Sequence, residues 1–260
     1  MKLFVTDLDG TLLDKGRQVR SSDKQALQEA AAMGIEICLA SGRMDVELVK
    51  VMREVGGNYH RISQNGAFVT TKDNELLQTE TFEPILAKQL IEIASPYDFA
   101  TLIGINQTVY TPGETEAIQA IQQRMFTTFQ VDPDIADKFE RQTPCKLSFF
   151  GDITKLRALQ AELAQKHGNS VETFISDKDC LDVMPAGVSK GRGLQALMNK
   201  LGITSDEVAC IGDAFNDVSM FKVARHSFAM GHGPEEVRKA AVQVVDSVAE
   251  AIEELKKVRI

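Results

Sequence analysis

The chain has 260 residues, of which 43% are hydrophobic and 25% charged, and its formal net charge is -8 at neutral pH. That balance is ordinary for a soluble globular protein of one or two domains, and it disfavours nucleic acid and anionic membrane surfaces as partners. No apolar run is long enough to cross a bilayer, and the opening run, 3–5, is interrupted by Asp7 and Asp9, so no signal peptide is expected. The four cysteines, Cys38, Cys145, Cys180 and Cys210, form no CxxC pair. Cys38 and Cys210 sit in apolar strand-like runs, which reads as a reducing, cytoplasmic setting without a zinc site.

The first element is a short buried strand, Leu3, Phe4 and Val5, running into Asp7-Leu8-Asp9-Gly10-Thr11. Carboxylates two residues apart in extended chain share a side, and two like charges at the end of a buried strand call for a cation between them. Gly10 permits the sharp turn that follows. A helical pattern starts at Ser22 and stops at Gly34, then a buried strand over 35–40 ends at Ser41-Gly42-Arg43 before a helix over 45–54. Strand, small-residue turn and helix form a layout that offers hydroxyl and backbone N–H groups to a phosphate, although a lone Ser41 also reads as a simple helix cap. Asn65-Gly66 marks a turn, and 68–71 with 76–81 read as a hairpin.

The pattern changes at residue 83. Helix 85–94, strands 99–105 and 108–111, helix 114–126, a polar stretch around Asp132-Pro133-Asp134, strand 146–150, helix 153–166 and strands 171–176 and 180–184 follow in turn. Strands with segregated helices indicate an α+β module, here 83–184, inserted into an alternating α/β chain formed by 1–82 and 185–260. Alternation resumes with Ser189-Lys190-Gly191 opening a helix that Gly202 ends. A strand over 208–211 then terminates in Gly212-Asp213-Ala214-Phe215-Asn216-Asp217, and strands at 227–230 and 242–245 and a closing helix complete the chain.

In a doubly wound parallel sheet the carboxyl ends of the strands share one edge, so aspartates far apart in sequence can meet there. The sequence DLDGT at 7–11, Ser41 after the second strand, an isolated Lys190 and GDAFND at 212–217 occur in the order of the four motifs of the haloacid dehalogenase superfamily, which the chain resembles over nearly its whole length. The insertion between Ser41 and Lys190, with Val188-Ser189-Lys190-Gly191 and Asn65-Gly66-Ala67, is similar to the Cof-type phosphatases with a type-two cap. The resemblance implies a Rossmann-like α/β core with an α+β cap that selects the substrate, a small phosphorylated metabolite and foremost a sugar phosphate. It implies Asp7 as nucleophile through an aspartyl-phosphate and Asp9 as general acid and base. It further implies Mg²⁺ held by the Asp7 carboxylate, the Asp9 backbone carbonyl and Asp213, with Lys190, Ser41, Gly42 and Asn216 on the phosphoryl group and Asp217 orienting Lys190 or the metal's waters.

Gly231-His232-Gly233 departs from the Gly-Asn-Ala usual in the family, Ala214 stands where Gly or Asn is common, and Thr6 replaces a Phe or Ser. His226 and His232 belong to no motif and read as structural or solvated, and Arg43 reads equally as substrate-binding or as helix surface. A phosphosugar mutase is the second enzyme reading; it needs a basic clamp for a second phosphate, and Arg124, Arg141, Lys146, Arg157 and Lys178 of the insertion are scattered. A non-enzymatic phospho-acceptor or binding protein is the third, and the intact motifs argue against it. Monomer and dimer both stay open.

Overall fold

The computed structural model describes residues 1–14, 16–125 and 127–257. They divide into two units, Met1–Thr79 with Ser189–Ile260, and Glu80–Val188.

The first unit is an α/β core. In chain order it contains β1 (Leu3–Asp7), α1 (Ser21–Ala32), β2 (Glu36–Ala40), α2 (Asp45–Val55), β3 (His60–Ser63), β4 (Phe68–Thr70) and β5 (Leu76–Thr79). The second unit adds α3 (Pro84–Ala94), β6 (Ala100–Ile105), β7 (Thr108–Thr111), α4 (Glu116–Gln122), β8 (Phe129–Val131), β9 (Lys146–Phe150), α5 (Ile153–His167), β10 (Val171–Asp177) and β11 (Cys180–Pro185). The core then resumes with α6 (Lys190–Leu201), β12 (Val208–Gly212), α7 (Val218–Phe221), β13 (His226–Met230), α8 (Glu235–Ala240), β14 (Gln243–Val245) and α9 (Val248–Lys257).

The core sheet has eight strands in the order β14-β13-β12-β1-β2-β3-β4-β5. The first six run parallel, with β1 between β2 and β12; β4 and β5 are an antiparallel extension at one edge. Because central parallel strands are covered on both faces, β1 is buried at every position. Leu3 and Val5 pack with Leu194, Leu197 and Met198 of α6, while α1 and α9 pack together elsewhere in the unit. Gly34 takes a left-handed φ of 86° and closes α1, which is where the sequence placed its stop.

Asp23 of α1 ties α9 to the core. Its buried Oδ1 accepts the Ala249 N–H at 2.8 Å, satisfying an orphan donor in the first turn of α9. Asp23→Ala is expected to cost about 1 kcal/mol of unfolding free energy, as for loss of a helix cap, while Asp23→Asn keeps the acceptor and costs less. Urea unfolding of the two variants checks this; equal losses would contradict it.

The second unit is an α+β module on a six-stranded sheet of order β10-β11-β9-β6-β7-β8. It is antiparallel except for β7 and β8, which run parallel. Ile103, Leu147, Phe149, Leu181 and Val183 share one sheet face and bury against Leu90 of α3 and Leu156, Leu159 and Leu163 of α5. Pro84 starts α3, and the Asp152 carboxylate caps α5 through the N–H groups of Thr154 and Lys155. The unit reaches beyond the expected 83–184 at both ends. Phe82 belongs to its apolar core and donates its N–H to the Pro144 carbonyl, and the Val188 N–H closes a turn onto Pro185. Two further expectations change. The polar stretch before Pro133 holds β8, whose three half-exposed or exposed residues give no buried-strand signal, and the helix expected over 114–126 ends at Gln122. Phe126, at the expected end of that helix, lies outside the described residues.

Candidate active site

The ends of β1, β2 and β12 and the start of α6 bring Asp7, Ser41, Asp213, Asn216, Asp217 and Lys190 to one edge of the core sheet. Asp7 is the last residue of β1 and is almost fully buried. Lys190 is the first residue of α6, set there by the Ser189 hydroxyl, which caps the helix by accepting the Arg192 N–H at 3.2 Å. Gly191 follows with no side chain, and a Cβ there would stand 2.1 Å from the Ser219 carbonyl oxygen. The start of α6 therefore lies close against α7, and the Lys190 ammonium reaches both Asp7 Oδ1 at 2.6 Å and Asp217 Oδ1 at 2.7 Å.

Asp217 organises the loop after β12. Its Oδ2 accepts the N–H groups of Asp213 and Ala214 at 2.9 and 3.0 Å, while its Oδ1 takes the ammonium. Its contact with Lys190 matches one of the two roles expected for it. Asp213 accepts the Thr11 hydroxyl at 3.2 Å. Gly10 has a φ of 84°, and a Cβ on it would lie 2.3 Å from Asp213 Oδ2, so the turn after β1 passes against that carboxylate without leaving room for a side chain.

The electrostatics of the cluster follow from three carboxylates facing one ammonium. Burial raises the Asp7 carboxyl well above the usual range; Lys190 opposes this, and Asp217, Asp213 and Asp9 add to it. Burial, then Asp217, lifts Asp213 to about 7 against the opposing pull of Lys190 and Thr11. For Lys190 burial favours the neutral amine, but Asp217 and Asp7 together outweigh it and raise its pKa.

Ser41 is buried, and its hydroxyl accepts the Arg43 N–H at 3.1 Å. It is not the cap of α2, which begins at Asp45 after Met44. With its oxygen so engaged, the hydroxyl hydrogen can serve an acceptor. Gly42 occupies the same turn. Asn216 is buried, donates its Nδ2 to Asn65 Oδ1 at 3.0 Å, and leaves its own Oδ1 without a hydrogen-bond partner. Asn65 holds a left-handed backbone (φ 56°, ψ 25°) in the turn after β3. The sequence marked Asn65 as a turn residue within a Cof-like Asn65-Gly66-Ala67 run, and its hold on Asn216 adds it to the site.

Two sequence readings change here. The Asp9 carboxylate stands apart from the buried cluster: it is half-exposed and is held by Arg43, with Nε donating to Oδ2 at 2.7 Å and Nη2 to Oδ1 at 2.6 Å. Arg43 is not helix surface, because its side chain is buried between Asp9 and Glu47. His232, read as structural or solvated, is more than half exposed, and its Nε2 lies 3.7 Å from Asp213 Oδ2. His226 begins β13.

The doubly wound core thus carries a buried lysine and an acidic cluster at its strand ends. The sequence model of the haloacid dehalogenase-like hydrolases matches residues 4–252, and the chain belongs to that family. It is 26% identical, over 89% of this chain and 84% of the relative, to a protein of Cronobacter sakazakii (strain ATCC BAA-894) called HMP-PP phosphatase. It is likewise 26% identical, over 95% of this chain and 93% of the relative, to 5-amino-6-(5-phospho-D-ribitylamino)uracil phosphatase YwtE of Bacillus subtilis (strain 168). Among solved structures, a haloacid dehalogenase-like hydrolase from Bacteroides thetaiotaomicron superposes with a TM-score of 0.83 at 28% identity, covering 98% of this chain and 99% of that one.

The family implies a divalent cation, and the side chains fit one. Asp7 Oδ2 is buried with no hydrogen-bond partner, an expensive state for a carboxylate oxygen. Asp7, Asp213 and Asp217 each offer an oxygen, and these lie within 4.8 Å of one another. Hard oxygen donors in surplus over the one ammonium suit a cation such as Mg²⁺ or Ca²⁺ rather than a thiol-seeking metal. No described helix is long and apolar enough to cross a membrane.

Proposed function

We propose that the chain is a Mg²⁺-dependent phosphatase of small phosphorylated metabolites that works through an aspartyl-phosphate on Asp7. The observation that carries this reading is the Lys190 ammonium bound between Asp7 and Asp217, beside the unpartnered Asp7 Oδ2. Asp7 attacks phosphorus, the phosphorus–oxygen bond to the leaving alcohol breaks, and Asp9 gives that alcohol its proton. Asp9 then takes a proton from the water that attacks phosphorus and returns Asp7 to a free carboxylate. Lys190 holds the Asp7 carboxylate in one direction and balances charge on the phosphoryl oxygens; Ser41, the Gly42 N–H and the second hydrogen of Asn216 Nδ2 bind those oxygens. When bound, Mg²⁺ supplies Lewis-acid neutralisation of the phosphoryl group, held by Asp7 and Asp213 with the Asp9 backbone carbonyl, while Asp217 keeps Lys190 in register.

The two relatives named above carry different phosphatase names at the same identity, so neither substrate passes to this chain. Residues 80–188 are taken as the cap that selects the leaving group, and sugar phosphates stay the first class to try. A mutase finds little support, because Arg124 is paired with Asp179 and Lys146 with Asp182 within that unit. The four cysteines are all buried, which fits the reducing cytoplasm expected for the chain.

The test is phosphate release from a panel of sugar phosphates and nucleotides, in Mg²⁺ and in EDTA. Release that needs Mg²⁺ and returns on its re-addition is expected. Equal release in EDTA would overturn the metal's role, and exchange of phosphate between positions of a sugar in the presence of a bisphosphate would favour the mutase.

A further inference from the structure

Asp9 sits on a loop with its carboxylate half-exposed, where an acidic side chain ordinarily samples several rotamers. The group that holds it is the opposite kind. Arg43 is buried; its N–H is bound by the Ser41 hydroxyl and its carbonyl accepts the Gln64 N–H at 2.8 Å. Its guanidinium plane is fixed from the far side by Glu47, which is fully buried one helical turn on, with Nη1 donating to Oε1 at 3.1 Å. Glu47 is itself anchored, as its Oε2 accepts the Met44 N–H at 3.1 Å at the start of α2. The result is a chain of contacts, helix start to Glu47 to Arg43 to Asp9, whose only solvent-facing member is the last.

A surface-stabilising i,i+4 pair would leave its arginine in water, and a phosphate-binding arginine would present its fork to the ligand. Here Nε and Nη2 are spent in a parallel pair on the two Asp9 oxygens, and Nη1 on Glu47. A carboxylate has about four lone-pair sites, so Arg43 occupies one on each oxygen and leaves one on each for a proton in transit.

We propose that Arg43 and Glu47 are positioning residues: Glu47 fixes the guanidinium, and the guanidinium fixes the direction in which Asp9 presents its free oxygen lone pairs to the leaving group. The inference rests on Asp9 being the acid and base of the reaction. Neither Arg43 nor Glu47 need touch the substrate for this role. A lysine cannot replace Arg43, since a point charge lacks the fork that defines the carboxylate plane.

The test uses the leaving group as the reporter. An alkyl phosphate, such as a sugar phosphate, needs a proton on its departing oxygen; p-nitrophenyl phosphate expels a stable anion and needs little help. With kcat/KM measured on both substrates, Asp9→Asn is expected to lose about 10²-fold or more on the alkyl ester and far less on the aryl ester. Glu47→Gln and Arg43→Lys are expected to lose about tenfold on the alkyl ester, with a clearly smaller loss on the aryl ester. In the Asp9→Asn background either change should add almost nothing on the alkyl ester, because the group being positioned is gone. Equal losses on both esters, or losses that add fully to Asp9→Asn, would overturn the positioning role and leave Asp9's own role standing. An Asp9→Asn enzyme without leaving-group selectivity would instead overturn the acid–base reading on which this rests. If Glu47→Gln does not fold, Arg43→Lys alone carries the same comparison.

Discussion

Asp7→Asn is expected to abolish phosphate release, by at least about 10⁴-fold in kcat, because an amide has no nucleophilic oxygen to offer phosphorus. The fold is expected to survive. The cluster carries three carboxylates against one ammonium, and Asp7 and Asp213 are both pushed up by burial and by their neighbours. Removing one negative charge relieves that repulsion and still leaves Lys190 its 2.7 Å bond to Asp217. Phosphate release and thermal melting, measured side by side, separate the two effects. An inactive variant that melts as high as wild type without added metal fits the account. An active variant would contradict it, and an inactive, unfolded one would contradict the charge argument.

Lys190→Met should damage both properties. The side chain is fully buried between two carboxylates, and methionine fills a similar volume without the charge. Breaking a buried ion pair from one side leaves charges without a partner and costs about 3 kcal/mol or more. On the chemical side, loss of one fixed positive group facing the phosphoryl oxygens should lower kcat by about 10²- to 10³-fold. The two losses have different remedies: added Mg²⁺ should restore much of the stability, since a cation that binds only the folded state stabilises it, but should not restore turnover. Urea unfolding with and without Mg²⁺, together with kcat at saturating metal, reads both. Full activity in the variant would remove Lys190 from the chemistry.

The residues that build the cluster were legible because strand ends and motif order fix them independently of packing detail. Asp7, Lys190, Asp213 and Asp217 are separated by up to 210 residues in sequence (7 to 217), yet each lies at or beside a strand end or a helix start, and the parallel sheet order puts those ends together. What sequence alone missed depends on side-chain direction. Arg43 follows a turn and precedes α2, a place that fits a solvated arginine as well as a buried one; only its Glu47 and Asp9 partners decide it. His232 sits in a loop after β13 with no periodic pattern to orient it, so its approach to Asp213 could not be read from spacing. Asn65 read as a turn within a family-like Asn-Gly-Ala run, but its bond to Asn216, 151 residues away, follows only from the fold.

Fold errors have the same origin. β8 has three residues, none buried, and pairs along one edge with β7, so neither alternation nor an apolar run announces it. The antiparallel edge of the core was visible as a hairpin, but that β4 also pairs antiparallel with β3 follows from tertiary contacts. The ends of the inserted unit moved outward because Phe82 joins its apolar core, a choice made by packing and not by the nearby proline.

The most direct test of the central claim is chemical trapping of the intermediate. Enzyme mixed with labelled substrate and Mg²⁺ and quenched in acid within one turnover should carry label that hydroxylamine removes, and a second portion reduced with borohydride should carry homoserine in place of the aspartate at position 7. Turnover without any trapped phosphoenzyme on a faster quench, or a label mapped to Asp9 or Asp213, would contradict it.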